Sequence, residues 1–237
     1  MENKERNTAV KETVISRQRR SRRTSRRRKQ QIRRFVVLGI IILIGILLLW
    51  LICFFIGSLM GKKEKTKEVE QPKITEMLLT ENPYSRPGTS LEKVKGVVVH
   101  YTANPGSDAK ANRNYFEGLR KSKATYASSH FIIGLDGIII QCIPLEEISY
   151  ASNHRNSDTI SIECCHPTED GKFNKETYQS LIKLLAWLCG KYNLKQDDII
   201  RHYDVTGKDC PRYYVKNEKK WEQLKKEVFL YIENNCK

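Results

Sequence analysis

The chain has 237 residues, 40% of them hydrophobic and 29% charged, with a formal net charge of +15; that is room for one medium domain with appendages. The first 34 residues hold fourteen Lys/Arg against three Asp/Glu, which accounts for +11 and leaves only +4 for the rest. The basicity therefore belongs to a tail and not to the globular part.

Residues 1–34 are arginine-rich and nearly free of large apolar groups, so they cannot bury enough surface to fold alone and are expected to form a basic cytoplasmic tail. The stretch Arg17 to Arg34 could bind nucleic acid or touch anionic lipid headgroups; next to an apolar run the lipid reading is the better one, and no nucleic-acid partner is expected. Residues 35–60, Phe35 to Met60, carry no charge. That run exceeds the roughly 20 residues needed to cross a bilayer and predicts one transmembrane helix. It is too long for a secretory signal and ends in Gly-Ser-Leu-Met-Gly before a lysine cluster, so cleavage is not expected. Four Lys against three Glu between Lys62 and Glu70 cannot outweigh the fourteen basic residues of the tail. The positive-inside rule then puts the N-terminus in the cytoplasm and everything after residue 61 outside, at the cell membrane. Residues 61–91 mix Lys, Glu, Thr and Pro without periodicity and read as an extracytoplasmic linker, about 30 Å long as a coil and about 100 Å if pulled straight.

From residue 92 to 237 the pattern alternates short strands with helices. Val97 to Tyr101 predicts a buried strand. Ser107 to Lys121 predicts a helix with Ser107 or Asp108 as N-cap and Ala111, Tyr115, Phe116 and Leu119 at helical spacing. Ser129 to Ile133 and Ile138 to Ile143 flank Leu135-Asp136-Gly137, a hairpin signal, and Thr159 to Cys164 predicts another strand. Tyr178 to Leu194 and Asn217 to Glu233 predict two further helices, the first with Leu181, Leu184, Leu185, Leu188 and Tyr192 on one face. The fold class is α/β, a single folded module without internal repeats, and a monomer is expected.

The chemistry concentrates in Ile199 to Pro211. His202 and Cys210 are separated by a turn-prone Gly207 and could close a small chelate loop on zinc, for which imidazole and thiolate are preferred ligands. His100, at the end of an apolar strand, is the candidate third ligand. Three protein ligands would leave one tetrahedral position open, as catalytic zinc requires, with Lys208 beside it. A buried histidine and a buried free cysteine are also ordinary core residues, so spacing alone leaves both readings open. Apart from Cys53 and Cys210, the cysteines are Cys142, Cys164, Cys165, Cys189 and Cys236, an odd number. Adjacent Cys164 and Cys165 on a strand cannot face the same side, so mostly reduced thiols are expected.

His100 in Val-Val-His-Tyr-Thr, Ser128 to Ile133, Asp136-Gly137, Gln141, Asn156 to Glu163 and His202 to Pro211 together resemble the zinc N-acetylmuramoyl-L-alanine amidases of the amidase-2 class. That class also holds phage T7 lysozyme and the peptidoglycan recognition proteins. The resemblance runs from about Lys95 to Pro211 in the family's order. It implies a mixed central β-sheet flanked by helices, a zinc ion (Zn2+) held by His100, His202 and Cys210 in a surface cleft, and peptidoglycan as substrate. It also implies Glu163 as the catalytic carboxylate and Lys208 as the cation for the oxyanion, where residues alone would leave a strand-end carboxylate and a solvated loop lysine. Asp209 is a rival oxygen ligand. His130 reads either as cleft-lining or as a hydrogen-bonded structural residue, while His154 and His166 match no ligand position. Ser129 stands where T7 lysozyme has a tyrosine, and Ala151-Ser152-Asn153 where many members carry His-Ala-Gly. The implied function is a membrane-anchored amidase cutting between N-acetylmuramic acid and L-alanine; the alternative is a non-catalytic peptidoglycan-binding module.

Overall fold

The computed structural model describes residues 34, 36, 38–54 and 68–236. The basic tail therefore lies, apart from Arg34, outside the described residues, as do residues 55–60 of the expected membrane span. Residues 38–54 are helical (α1) and present their apolar side chains outward, Leu43, Trp50 and Phe54 each more than half exposed. Among the described residues no helix is long and apolar enough to cross a membrane.

The unit that follows is built on a six-stranded sheet in the order β1-β4-β3-β5-β2-β6, with β1 at Ile74–Glu76, β2 at Gly96–Tyr101, β3 at Phe131–Ile133, β4 at Ile139–Gln141, β5 at Thr159–Cys164 and β6 at Ile199–Arg201. Only β3 and β4 pair antiparallel; all other neighbours are parallel. The hairpin between them turns at Gly137, whose φ is +79°. A side chain there would also meet the Glu176 carbonyl at 3.1 Å, so both backbone and space require glycine.

β2 is buried along its whole length, as expected of a central parallel strand covered on both faces. Alternation sorts its side chains. Val97, Val99 and Tyr101 join Phe131, Ile160, Ile162 and Cys164 in the larger apolar cluster, which the helices α3 (Lys175–Tyr192) and α6 (Glu218–Asn235) cover. The opposite face carries α2 (Ala109–Ser122), which seats Ala109, Phe116 and Leu119 on Ile132, Ile140, Cys142 and Cys165. Cys164 and Cys165 thus belong to opposite faces, and both, like Cys142, Cys189 and Cys210, are buried free thiols. Between α2 and the far edge, the second face holds Val98, His100, Ser161 and Glu163, and it is here that the sheet becomes polar.

Caps fix the helix starts. Asp108 Oδ1 accepts from the Ala111 N–H at 2.6 Å and Asn174 Oδ1 from the Thr177 N–H at 2.9 Å, which satisfies one exposed amide of each first turn. The expected hairpin, the strands around 97–101 and 159–164 and the three helices are all present, with ends shifted by a few residues. The expected linker 61–91 needs correction. β1 lies inside it, paired in parallel with β4, and Leu79 is fully buried against the α2 cluster. Arg86 closes a two-bond ion pair on Glu147 at 2.8 and 2.7 Å. Three short strand residues among Lys and Glu carry no periodicity of their own; a waiting edge strand, β4, recruits them.

Candidate metal centre and active site

Three short elements converge at the polar end of the sheet. His100 is the fifth residue of β2 and stands in register with Glu163 of β5, so ladder neighbours point the two side chains to the same face. His202 opens the short helix α4 (His202–Thr206), directly after β6. Arg201 fixes that junction from below: it is buried, bonds Asp204 at 2.8 Å and Glu218 at 2.6 Å, and donates to the Tyr214 carbonyl. Gly207, at φ +78°, ends α4. The chain then folds back until the Tyr203 N–H donates to the Cys210 carbonyl at 2.9 Å, which returns Cys210 to the side of His202. The next peptide bond, Cys210-Pro211, is cis, and α5 (Arg212–Lys216) follows.

As a result the donor atoms of His100, His202 and Cys210 all lie within 4.8 Å of one another, and all three residues are buried. The imidazole rings are 4.7 Å apart, and Cys210 Sγ is 3.8 Å from His100 Nδ1. His100 Nε2 lies 3.2 Å from Ser152 Oγ, and His202 Nε2 lies 3.3 Å from Asn153 Oδ1. His202 Nδ1 is buried without any hydrogen-bond partner. Burial, and then the charge of Lys208, pushes His202 down to about 4; burial pushes His100 well below its ordinary value. Both rings are therefore neutral bases with lone pairs to give. Burial, with the Glu163 carboxylate adding to it, pushes the Cys210 thiol up to about 12.

This set fits zinc. Two neutral imidazoles and a thiol that can ionise onto a cation are its borderline-soft donors. The orphaned Nδ1 of His202 is a buried polar atom for which a metal would be the missing partner.

Glu163 stands beside the cluster with Oε2 buried and unpartnered. Burial raises its carboxyl to about 8 against the opposing pull of Lys208. An unpaired buried carboxyl oxygen costs roughly 1–3 kcal/mol or more, which makes Glu163 a candidate for a functional group. Lys208 is exposed, and its charge reaches Glu163 and both histidines. All five residues line one cleft of about 490 Å³. Tyr126 and Tyr150 form part of its wall, with Tyr84 stacked behind Tyr126 at 5.2 Å. A groove of about 540 Å³ between α3 and α6 holds none of this chemistry.

The remaining candidates fall elsewhere. His130 is structural: Nδ1 accepts from the Ser161 N–H at 3.0 Å, and Nε2 donates to the Glu147 carbonyl at 2.9 Å. Ser129 donates to the Phe131 carbonyl at 2.7 Å and is buried. Asp209 pairs with Arg212 at 3.3 Å and is absent from the donor cluster. His154 is exposed, and His166 spends Nδ1 on the Thr168 carbonyl at 2.7 Å. The contacts of Ser152 and Asn153 were not read from sequence; the only signal was the departure from His-Ala-Gly.

A mixed sheet with helices on both faces carries, at one end, two histidines and a cysteine that could hold a metal ion, with a glutamate beside them. The N-acetylmuramoyl-L-alanine amidase family model matches residues 90–213, more than half of the chain, and the chain belongs to that family. It is 35% identical over 159 residues to a probable N-acetylmuramoyl-L-alanine amidase of Bacillus licheniformis, covering 62% of this chain and 44% of that one. It is 36% identical over 169 residues to the amidase BlyA of Bacillus subtilis (strain 168), with 62% and 44% covered. The chain thus spans less than half the length of these relatives. The solved catalytic domain of XlyA superimposes with a TM-score of 0.54 at 26% identity, over 65% of this chain and 99% of that one.

Proposed function

We propose that the chain is a membrane-anchored, zinc-dependent N-acetylmuramoyl-L-alanine amidase that hydrolyses the amide between N-acetylmuramic acid and L-alanine in peptidoglycan. The observation that carries this is the convergence of His100, His202 and Cys210 next to the unpartnered Glu163 in an open cleft; the family relationship supports the bond chosen.

His100, His202 and Cys210 would hold the metal. Bound there, zinc would supply a water of pKa near 7 and a Lewis acid for the scissile carbonyl. In its ionised form, which Lys208 favours, Glu163 would take a proton from the attacking water and pass it to the departing amine, the two-way role of a positioned carboxyl. Its affinity for that proton is set by burial against the nearby positive charges. Lys208, which lines the cleft, would bring an ammonium to where negative charge develops on the carbonyl oxygen. Tyr126 and Tyr150 shape the wall past which the polymer approaches. Neither Ser129, whose hydroxyl is tied to the Phe131 carbonyl, nor His130, whose two ring nitrogens are both engaged, is free to serve as base.

Residues 35–60 anchor the chain with the N-terminus in the cytoplasm and the catalytic unit outside, as one monomer. The support is the uncharged run and the basic residues ahead of it, together with the outward apolar side chains of α1. A non-catalytic binding role would leave the buried Glu163 oxygen and the full donor set unexplained.

The test is digestion of purified peptidoglycan by the full-length, zinc-loaded chain, with the products read by mass spectrometry. Free stem peptides beginning with L-alanine and intact glycan strands are expected. Cuts between sugars or within the peptide would overturn the bond assignment, and retention of the polymer without release would establish a binding module.

A further inference from the structure

Both histidines of the donor set have a second ring nitrogen, and both of these end on consecutive residues of one loop. His100 Nε2 meets Ser152 Oγ at 3.2 Å and His202 Nε2 meets Asn153 Oδ1 at 3.3 Å. On the inner side, His100 Nδ1 faces Cys210 Sγ at 3.8 Å and His202 Nδ1 is buried and unpartnered. An amide oxygen can only accept, so the Asn153 contact requires the proton of His202 on Nε2 and leaves the lone pair on Nδ1. A serine hydroxyl can serve the same purpose for His100, accepting from Nε2 and leaving the lone pair of Nδ1 toward Cys210 Sγ.

The loop is built to hold these two side chains still. Asn156 Oδ1 accepts from the Ala151 and Ser152 N–H groups at 3.1 and 2.6 Å. The Ser152 carbonyl accepts from the Arg155 N–H at 2.9 Å, and Arg155 is itself held on Asp158 at 2.6 Å. At the other end, Ser128 and Tyr150 exchange bonds, N–H to carbonyl at 3.1 Å and N–H to Oγ at 3.0 Å. Ser152 is buried. Asn153 sits at φ +52°, in the left-handed region that Asn and Gly tolerate best, and that conformation turns its amide toward His202.

We infer that Ser152 and Asn153 are positioning residues for the metal donors: a two-residue bracket, braced by Asn156, that fixes both imidazoles with Nδ1 turned inward to converge with Cys210 Sγ. The inference rests on the zinc reading above and adds the residues that orient its ligands. Outer-sphere partners of this kind hold ring orientation and tautomer, and their loss weakens metal binding about 10–100-fold.

The experiment measures zinc affinity of the metal-free full-length chain by competition with a chromophoric chelator near neutral pH, for the parent and for Ser152→Ala, Asn153→Gly, Asn153→Asp and Asn156→Ala. Ser152→Ala and Asn153→Gly should each bind zinc about 10–100-fold more weakly. Asn156→Ala, which touches neither histidine, should also weaken binding. Asn153→Asp keeps an oxygen opposite His202 Nε2 and should stay close to the parent. Asn153 is exposed and glycine accepts its φ, so the metal-free Asn153→Gly chain should unfold at the parental temperature; should Ser152→Ala fail to fold, Asn153→Gly decides alone. Parental affinity in Asn153→Gly, or an equal loss in Asn153→Asp, overturns the inference. A parent that binds no zinc overturns the metal reading itself, and the bracket falls with it.

Discussion

Replacing Glu163 by Gln separates its chemical role from its structural cost, because the two side chains have nearly the same shape while only one can take a proton. In the zinc-loaded enzyme the loss of a positioned acid-base group should lower kcat by about 10²–10⁴, equivalent to about 2.7–5.4 kcal/mol of barrier. Zinc content should not change, since Glu163 is outside the donor set. In the metal-free chain the same substitution should change the pH dependence of stability. The Glu163 carboxyl stands at about 8 in the fold against an ordinary 4.5, so the folded state keeps a proton that the unfolded state releases. Its contribution is complete below about pH 4.5 and is lost as pH rises through about 8, at up to about 1.4 kcal/mol per pH unit. Denaturant unfolding of parent and variant across that window should show the parent losing stability relative to Glu163→Gln. Near-parental turnover in the metal-loaded variant would refute the catalytic role. Parallel stability profiles would refute the buried, unpartnered carboxyl.

Cys210→Ser should lower zinc affinity by at least tenfold, since a hydroxyl is a far poorer ligand than a thiolate, and metal analysis of the parent should give one zinc per chain, with activity lost on strong chelation. A fragment beginning at residue 90 should melt at least about 5 °C below one beginning at residue 65. It lacks β1, the Arg86–Glu147 pair and Leu79, whose burial alone contributes about 1.5–3 kcal/mol; equal melting temperatures would mean β1 is dispensable. Protease added outside intact, wall-stripped cells should remove the folded unit and spare the first 34 residues, and protection of that unit would reverse the proposed topology.

What could be read from the sequence was whatever is encoded locally. The runs Val97-Val98-Val99 and Thr159 to Cys164, and the glycine turn at 137, declare strands by their own composition, and Asp108 declares a helix start. His202 and Cys210 were legible because one short loop carries both. The register that sets His100 beside Glu163 was not, because ladder pairing between distant segments follows from the whole sheet. β1 escaped notice for the same reason, since Ile74–Glu76 is a strand only by virtue of β4. The contacts of Ser152 and Asn153 depend on one left-handed residue and on an Asn156 side chain folding back over its own loop, neither of which leaves a periodic trace.

The donor set is divided between parts of the fold that differ in how readily they open. His100 and Glu163 sit on two paired interior strands, β2 buried along its whole length and β5 buried except at Glu163, and their amides should exchange with solvent only on global unfolding. His202 and Cys210 ride on a five-residue helix and its return loop, fastened through Arg201, the Tyr203–Cys210 backbone bond and the packing of Cys210. That half is expected to open before the sheet does. Metal release then has a local route, and zinc should leave far faster than the protein unfolds, with amides of 203–210 losing protection first in the chelator-treated chain.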